Sequence, residues 1–276
     1  MDTTAAPFDG RILFQNSACM VINKLPGEPS EFPENKRQGK GETTAGAGKK
    51  TGREEKSFPF TVHRLDTPVS GCLLLAKTLK AAAFLSSAFA RPASGAGSSD
   101  ADPAIEKLYW AIAEKPKGEK PFPIEGELVH WLYENKKANK SYAHPFFDAP
   151  ASAHCHGTEG KTDEMQALQR RYGEPKKAVL RCRIIGEGER YLFLEINLVT
   201  GRHHQIRAQL AAVGLHIKGD LKYGARRSEK GGGIRLHAYS LAFPDPENPS
   251  ETIQVKANPR SEDALWLAFK EAYAGN

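Results

Sequence analysis

"YLFLEINLVTGRHHQIRAQLAAVG", residues 191–214, changes its period in the middle. Leu192, Leu194, Ile196 and Leu198 recur at every second position, the pattern of a strand with one buried face. Thr200-Gly201 breaks that pattern. Ile206, Leu210 and Val213 then share one stripe of a helix, and Gly214 is placed to end it. A strand running straight into a helix could open a βαβ unit, but the neighbouring segments do not repeat the alternation. "RILFQN" and "ACMVINKLPGE" read as short strands joined by a polar turn at Asn16-Ser17. "FTVHRL" and "GCLLLAKT" read as two more, the second apolar enough to be buried on both faces. "KLYWAIAEK" alternates, with Leu108, Trp110 and Ile112 on one side and Tyr109, Ala111 and Ala113 on the other. "RLHAYSLAF" and "TIQVKA" complete the strands. Thr78 caps a helix over "LKAAAFLSSAFA", with Ala82, Leu85 and Phe89 on one side. "SEDALWLAFKEAYAG" is a final helix with acidic residues in its first turn and glycine after its last. Many strands, few helices and no strict alternation predict an α+β fold: a mixed, largely antiparallel sheet flanked by a few helices.

The chain has 276 residues, 39% hydrophobic and 26% charged, with a formal net charge of +6. These values suit a globular protein with a sizeable core, and the basic excess favours a polyanionic partner. Cys19, Cys72, Cys155 and Cys182 lie far apart with no C-x-x-C pair, so neither a disulfide framework nor a cysteine-rich zinc site is expected. Cys72 and Cys182 fall in strands as small buried hydrophobes, which points to a reducing cytoplasm. The start "MDTTAAPFDG" is no secretory signal, and no apolar run approaches the roughly 20 residues of a membrane span. Residues 30–57 and 133–178 read as polar, irregular insertions, and "RPASGAGSSDADP" as a loop. No composition break divides the chain, so residues 1–276 are expected to form a single, monomeric catalytic domain.

Two places could carry chemistry. "HRLDTPVSG", residues 63–71, sets Arg64 and Asp66 ahead of a buried strand. Asp-Thr-Pro is turn chemistry, since Asp can bond its own backbone. The same loop between two strands could hold a catalytic carboxylate rigidly. The residues alone leave both readings open. "TGRHHQIR" puts Arg202, His203, His204 and Arg207 at a helix start, where N–H groups and the dipole attract anions. Arg207 could clamp a phosphate there, or a carboxylate such as Asp66. His203 and Arg207, four apart, would share a helical stripe, while His203 and His204 would diverge. No metal is expected: His154-Cys155-His156 lacks a second ligand pair. There is no P-loop, no G-x-G-x-x-G after a strand and no G-x-S-x-G elbow. Gly231-Gly232-Gly233 precedes a strand and reads as a flexible hairpin connection.

Five segments, in order, resemble those of the RluA-type pseudouridine synthases. "MVINKLPGE" resembles V-x-N-K-P-x-G. "HRLDTPVSGCLLLAKT" resembles HRLDxxTSGLLLxAKT, and "KLYWAIAE" resembles K-x-Y-x-A-x-V. "LVTGRHHQIRAQLAAVGLHIKGDLKYG" resembles LxTGRxHQIRxHLAxxGxPIxGDxxYG, and "GIRLHAYSLAFPDP" resembles the later RLHA strand. The resemblance implies a pseudouridine synthase fold with the active-site cleft across the sheet. It implies cofactor-independent isomerisation of uridine to pseudouridine in ribosomal or transfer RNA. Position by position, it implies Asp66 as the catalytic aspartate at the ribose anomeric carbon, Tyr109 against the base as proton acceptor, and Arg207 paired with Asp66. Arg64, Arg202, His204, Gln205 and Leu236 would bind the substrate. Val69 replaces a threonine of the family pattern and is expected to pack, the proline of "NKLPG" is shifted by one, and Gln209 and His216 replace a histidine and a proline. No separate RNA-binding domain is expected ahead of residue 11, so RNA choice is expected to come from this domain's own loops. The alternatives are an RNA-binding protein on the same scaffold without catalysis, and a two-carboxylate hydrolase, for which no second acid is nominated.

Overall fold

A computed structural model describes residue 8 and residues 10–31, 59–91, 105–116, 126–145, 159–229, 231–260 and 263–275. Among them lie strands β1 (Ile12–Gln15), β2 (Cys19–Lys24), β3 (Phe60–Thr61), β4 (Ser70–Ala76), β5 (Glu106–Glu114), β6 (Gly126–Asn135), β7 (Lys140–Pro145), β8 (Lys176–Glu187), β9 (Tyr191–Leu198), β10 (His216–Ile217), β11 (Leu236–Pro244) and β12 (Thr252–Lys256). The helices are α1 (Leu79–Ala90), α2 (Glu159–Tyr172), α3 (Gln205–Ala212) and α4 (Ala264–Ala274). All the strands join one sheet in the order β1-β2-β4-β11-β5-β9-β8-β6-β7, with β3, β10 and β12 pairing off that path. Every described pairing is antiparallel except β4 with β11. The fold is therefore α+β with a mixed, largely antiparallel sheet.

The alternation in the sequence divides the sheet into two faces. On one face, Tyr109, Ala111 and Ala113 of β5 join Leu192, Leu194, Ile196 and Leu198 of β9, and α3 covers them with Ile206, Leu210 and Val213. On the other, Trp110 and Ile112 meet Trp266 and Phe269 of α4. Leu74 and Cys72 of β4 pack there against Ala81, Leu85 and Ala88 of α1. Thr78 caps α1 by accepting from Ala81 N at 3.1 Å. Asn16 Oδ1 closes the β1–β2 turn by accepting from Ala18 N and Cys19 N at 3.0 and 2.8 Å.

Several expectations need correction. The described residues within 133–178 are largely regular: they contain the end of β6, all of β7 and α2, and the start of β8. Exposed charges such as Arg170, Arg171, Lys176 and Lys177 sit on regular elements, which composition alone cannot separate from a loop. "FTVHRL" is a strand only over Phe60–Thr61, so the HRLD stretch is loop. The buried stripe of α1 is Ala81-Leu85-Ala88, one residue round from the expected one except at Leu85. The acidic group at the start of α4 is its cap, Asp263, with none in the first turn. The Gly231–Gly233 stretch links the 3-10 turn at Leu221–Tyr223 to β11 rather than forming a hairpin. The bulk of 30–57, residues 92–104 and the His154-Cys155-His156 cluster lie outside the described residues.

Candidate active site

Asp66 sits in a loop whose backbone is tied down at almost every residue. Ser30 Oγ donates to Leu65 O at 2.8 Å and accepts from Leu65 N at 2.9 Å. Val69 N closes the turn on Asp66 O at 2.9 Å, and Pro68 O accepts from Ile234 N at 3.1 Å. The buried ammonium of Lys24 donates to Leu25 O, Thr67 O and Val69 O at 3.0, 3.1 and 2.6 Å. Burial lowers the pKa of Lys24 to about 8, against the opposing pull of Glu28 and Asp66. Val69 packs, as expected, at 2% exposure. The turn is closed by backbone alone, because the Asp66 carboxylate points elsewhere.

It points at Arg207. Arg207 Nη1 donates to Asp66 Oδ2 at 3.0 Å. Its Nε and Nη2 form a two-pronged pair with Asp220 at 2.6 and 2.8 Å. Burial works against the guanidinium charge, yet Asp220 first and then Asp66 hold its pKa above the ordinary value. The helix start thus clamps a carboxylate, one of the two options its residues left open. Asp66 Oδ1 accepts no hydrogen bond among the described residues, and Asp66 lines the cavity.

His204 precedes α3 with φ +51°, in the left-handed region. That backbone turn stacks its ring on His203 with centroids 3.9 Å apart, so the two rings do not diverge. His203 lies outside the helix, bonded to Ser141 Oγ and Asn139 Oδ1 at 2.9 Å each, not on a stripe with Arg207. His204 Nε2 faces Asp66 Oδ2 at 3.6 Å, and its Nδ1 meets Tyr223 Oη at 3.0 Å. Burial and then the Arg207 charge push the His204 pKa down to about 3, so the ring is neutral. Burial, reinforced by the Asp66 charge, raises the pKa of the Tyr109 phenol.

A cavity of about 450 Å³ brings all eight expected site residues together: Asp66, Tyr109, Arg207, Arg64, Arg202, His204, Gln205 and Leu236 all line it. Arg64 and Arg202 are exposed at its edge. Leu236 is buried in its wall. Gln205 lines it too, but its amide holds the preceding loop through Thr200 Oγ1, Arg202 N and Val179 O. A second cavity of about 440 Å³ opens on the other side of the Arg64–Asp66 loop. Four residues at or beside the site escaped sequence reasoning: Lys24, Lys107, Asp220 and Tyr223. Each lies inside one of the five quoted segments, and for the first three a lone charge in an apolar strand or turn was the available signal. Among the described residues no His, Cys, Asp and Glu cluster could hold a metal ion, and no helix is long and apolar enough to cross a membrane.

A carboxylate bonded to an arginine in a cavity lining, with cations at the mouth, is the arrangement of an enzyme site for an anionic substrate. The chain belongs to the RNA pseudouridylate synthase family, whose model matches residues 18–212. It is an isomerase acting on RNA, of the RluA type that the sequence segments resemble. It is similar to "Uncharacterized RNA pseudouridine synthase YlyB" of Bacillus subtilis (strain 168), 26% identical over 97% of this chain and 74% of that one. It is also similar to "Ribosomal large subunit pseudouridine synthase D" of Zymomonas mobilis, 27% identical over 83% of this chain and 61% of that one. The solved structure of "Human RNA Pseudouridylate Synthase Domain Containing 4" shares the fold, with a TM-score of 0.62 and 18% identity over 99% of this chain and 96% of that one.

Proposed function

We propose that this enzyme converts a uridine of ribosomal or transfer RNA to pseudouridine without a cofactor, with Asp66 acting at the sugar. The observation that carries this reading is the Asp66 carboxylate, held by Arg207 through Oδ2 in the lining of the cavity. The target nucleotide flips out of its stack into this cavity. As the bond between ribose C1′ and uracil N1 breaks, its electron pair leaves with the ring, and positive charge develops at C1′. An ionised carboxylate stabilises that charge or attacks the carbon. The detached ring turns within the closed wall and bonds through C5, and the C5 proton is removed while N1 gains one. The protonated Tyr109 phenol stacks on the ring and can relay that proton. Arg64 and Arg202 at the mouth contact the flipped nucleotide and its phosphates, and Leu236 lies against the base. The names of the Zymomonas, Neisseria and Vibrio relatives favour large-subunit ribosomal RNA as the target. Residues 1–276 act as one catalytic unit in a reducing compartment, consistent with the buried Cys19, Cys72 and Cys182, none of which is in a disulfide.

The test is direct. Purified protein incubated with ribosomal and transfer RNA is expected to create carbodiimide-dependent reverse-transcription stops. Asp66→Asn is expected to abolish them while RNA binding persists. No turnover on any cellular RNA, with binding kept, would instead identify a binder that has lost catalysis. Free uracil would identify a hydrolase.

A further inference from the structure

Most buried cations of this molecule are matched. Arg207 lies between two carboxylates, Lys24 among three carbonyls, and Arg235 against Glu229 and Asp263. Lys107, half-buried, is not matched in this way. It sits on β5, two residues before Tyr109 and on the same sheet face, and lines the 450 Å³ cavity. Its Nζ comes 3.5 Å from the point a β-carbon on Gly201 would occupy, beside the loop that leads into α3. Among the described residues it makes no hydrogen bond and no ion pair. Burial lowers its pKa, and no other cause offsets that. An ammonium partly withdrawn from water without a partner is destabilising, so its place in the cavity lining calls for a reason outside the folded chain.

The reaction supplies one. When the C1′–N1 bond breaks, uracil departs with the electron pair, and the negative charge spreads over N1 and the two carbonyl oxygens. That charge needs a counter-ion inside the cavity, or the ring escapes before it can rejoin through C5. Arg207 cannot serve, because its Nε, Nη1 and Nη2 are engaged with Asp220 and Asp66. His204 is neutral. We propose that Lys107 is a catalytic residue: its ammonium contacts the carbonyl edge of the target pyrimidine and stabilises the detached ring as an anion. This rests on the reading that the uridine occupies this cavity. Lys107 stays protonated throughout, and the C5 and N1 proton transfers are left to other groups.

The test uses the full chain and a transcript carrying the uridine that the wild-type enzyme modifies. Lys107→Met keeps the length of the side chain and removes the charge. The single-turnover rate is expected to fall about 10²-fold, in the range seen when one charge-stabilising donor is deleted. RNA affinity should stay within about threefold and the thermal midpoint at or above wild type, since an unmatched buried charge has gone. On a transcript with 5-fluorouridine, whose ring leaves as a more stable anion, loss of 5-fluorouridine from nuclease digests reports bond cleavage. There the defect is expected to shrink at least about tenfold, because a weaker base needs less help from a cation. Lys107→Arg should recover much of the uridine rate. The inference is overturned if Lys107→Met stays within threefold of wild type, if its defect is equal on both substrates, or if weaker RNA binding accounts for all of it. Asp66→Asn run in parallel separates the two failures. An active Asp66→Asn enzyme sinks the site reading itself, whereas an inactive one beside an active Lys107→Met sinks only the role of Lys107.

Discussion

At the scale of residues, Arg207 is one positive charge between two negative ones. Its side chain is 5% exposed, that of Asp220 1% and that of Asp66 19%. The two carboxylates are therefore unequal. Removing the Asp66 charge leaves the buried Arg207–Asp220 pair neutral and intact. Removing Asp220 strips two donors of their acceptors and leaves a buried guanidinium on its most exposed partner. Asp66→Asn is expected to abolish turnover while shifting unfolding free energy by less than about 1 kcal/mol. Asp220→Ala is expected to destabilise the fold by about 3 kcal/mol. Urea denaturation of the two variants checks this, and an Asp66→Asn protein that unfolds more easily than Asp220→Ala would refute it. Val69 offers a smaller case. At 2% exposure, exchange for the threonine of the family pattern buries a hydroxyl, so Val69→Thr should cost about 1 kcal/mol on the same titration.

At the scale of elements, the point where β4 meets β11 is the most constrained joint. Gly71 has φ +113°, and a β-carbon there would lie 2.2 Å from Ala238 O, which is backbone. Ala238 is also the β11 residue opposite both Gly71 and Tyr109. Gly71→Ala should cost about 3 kcal/mol or more and displace the strand that positions Leu236. A variant with wild-type thermal midpoint would show that the strands can part without penalty. The sequence exposed the faces of β5 and β9 because strict alternation survives wherever one face meets a helix. Its residues, apart from the family resemblance, exposed the Asp66–Arg207 pairing only as one of two options, because a clamp depends on a contact between residues 141 apart. Asp220 was hidden for a related reason: the turn at Gly219 brings it back onto α3, and nothing in the spacing of GDLKYG reports that return. The hairpin of β6 and β7 was lost to its own polarity. Asn139, at φ +47°, makes its turn, and the charges that suggested a loop belong to its outer surface.

At the scale of the whole molecule, His204 and His237, buried, and His63, half-buried, link proton uptake to unfolding. Burial, and then the Lys107 charge, push His63 down to about 3. Burial and Arg207 take His204 to about 3, and burial takes His237 to about 4 against a bond to Ala257. Each ring is satisfied while neutral. His63 Nε2 accepts from Leu74 N at 2.9 Å, and His204 meets Tyr223 Oη. His237 spans Ser70 Oγ on β4 and Ala257 O after β12, at 2.8 Å each. Protonation would break an acceptor role in the first and last of these. Because the folded pKa values lie below the ordinary value near 6.5, the unfolded chain binds more protons as pH drops. Stability is therefore full above about pH 6.5 and falls towards pH 3–4. Below the unfolded pKa each histidine adds a slope approaching about 1.4 kcal/mol per pH unit. Between pH 6.5 and 5 few carboxylates titrate, so this window isolates the histidines. Urea unfolding should show stability dropping across it, with His237→Gln flattening the slope by close to one proton while lowering stability overall. A flat profile in wild type would mean that these rings are already charged in the folded state, and the hydrogen bonds that tie β4, β11 and α3 around the cavity would need a different assignment.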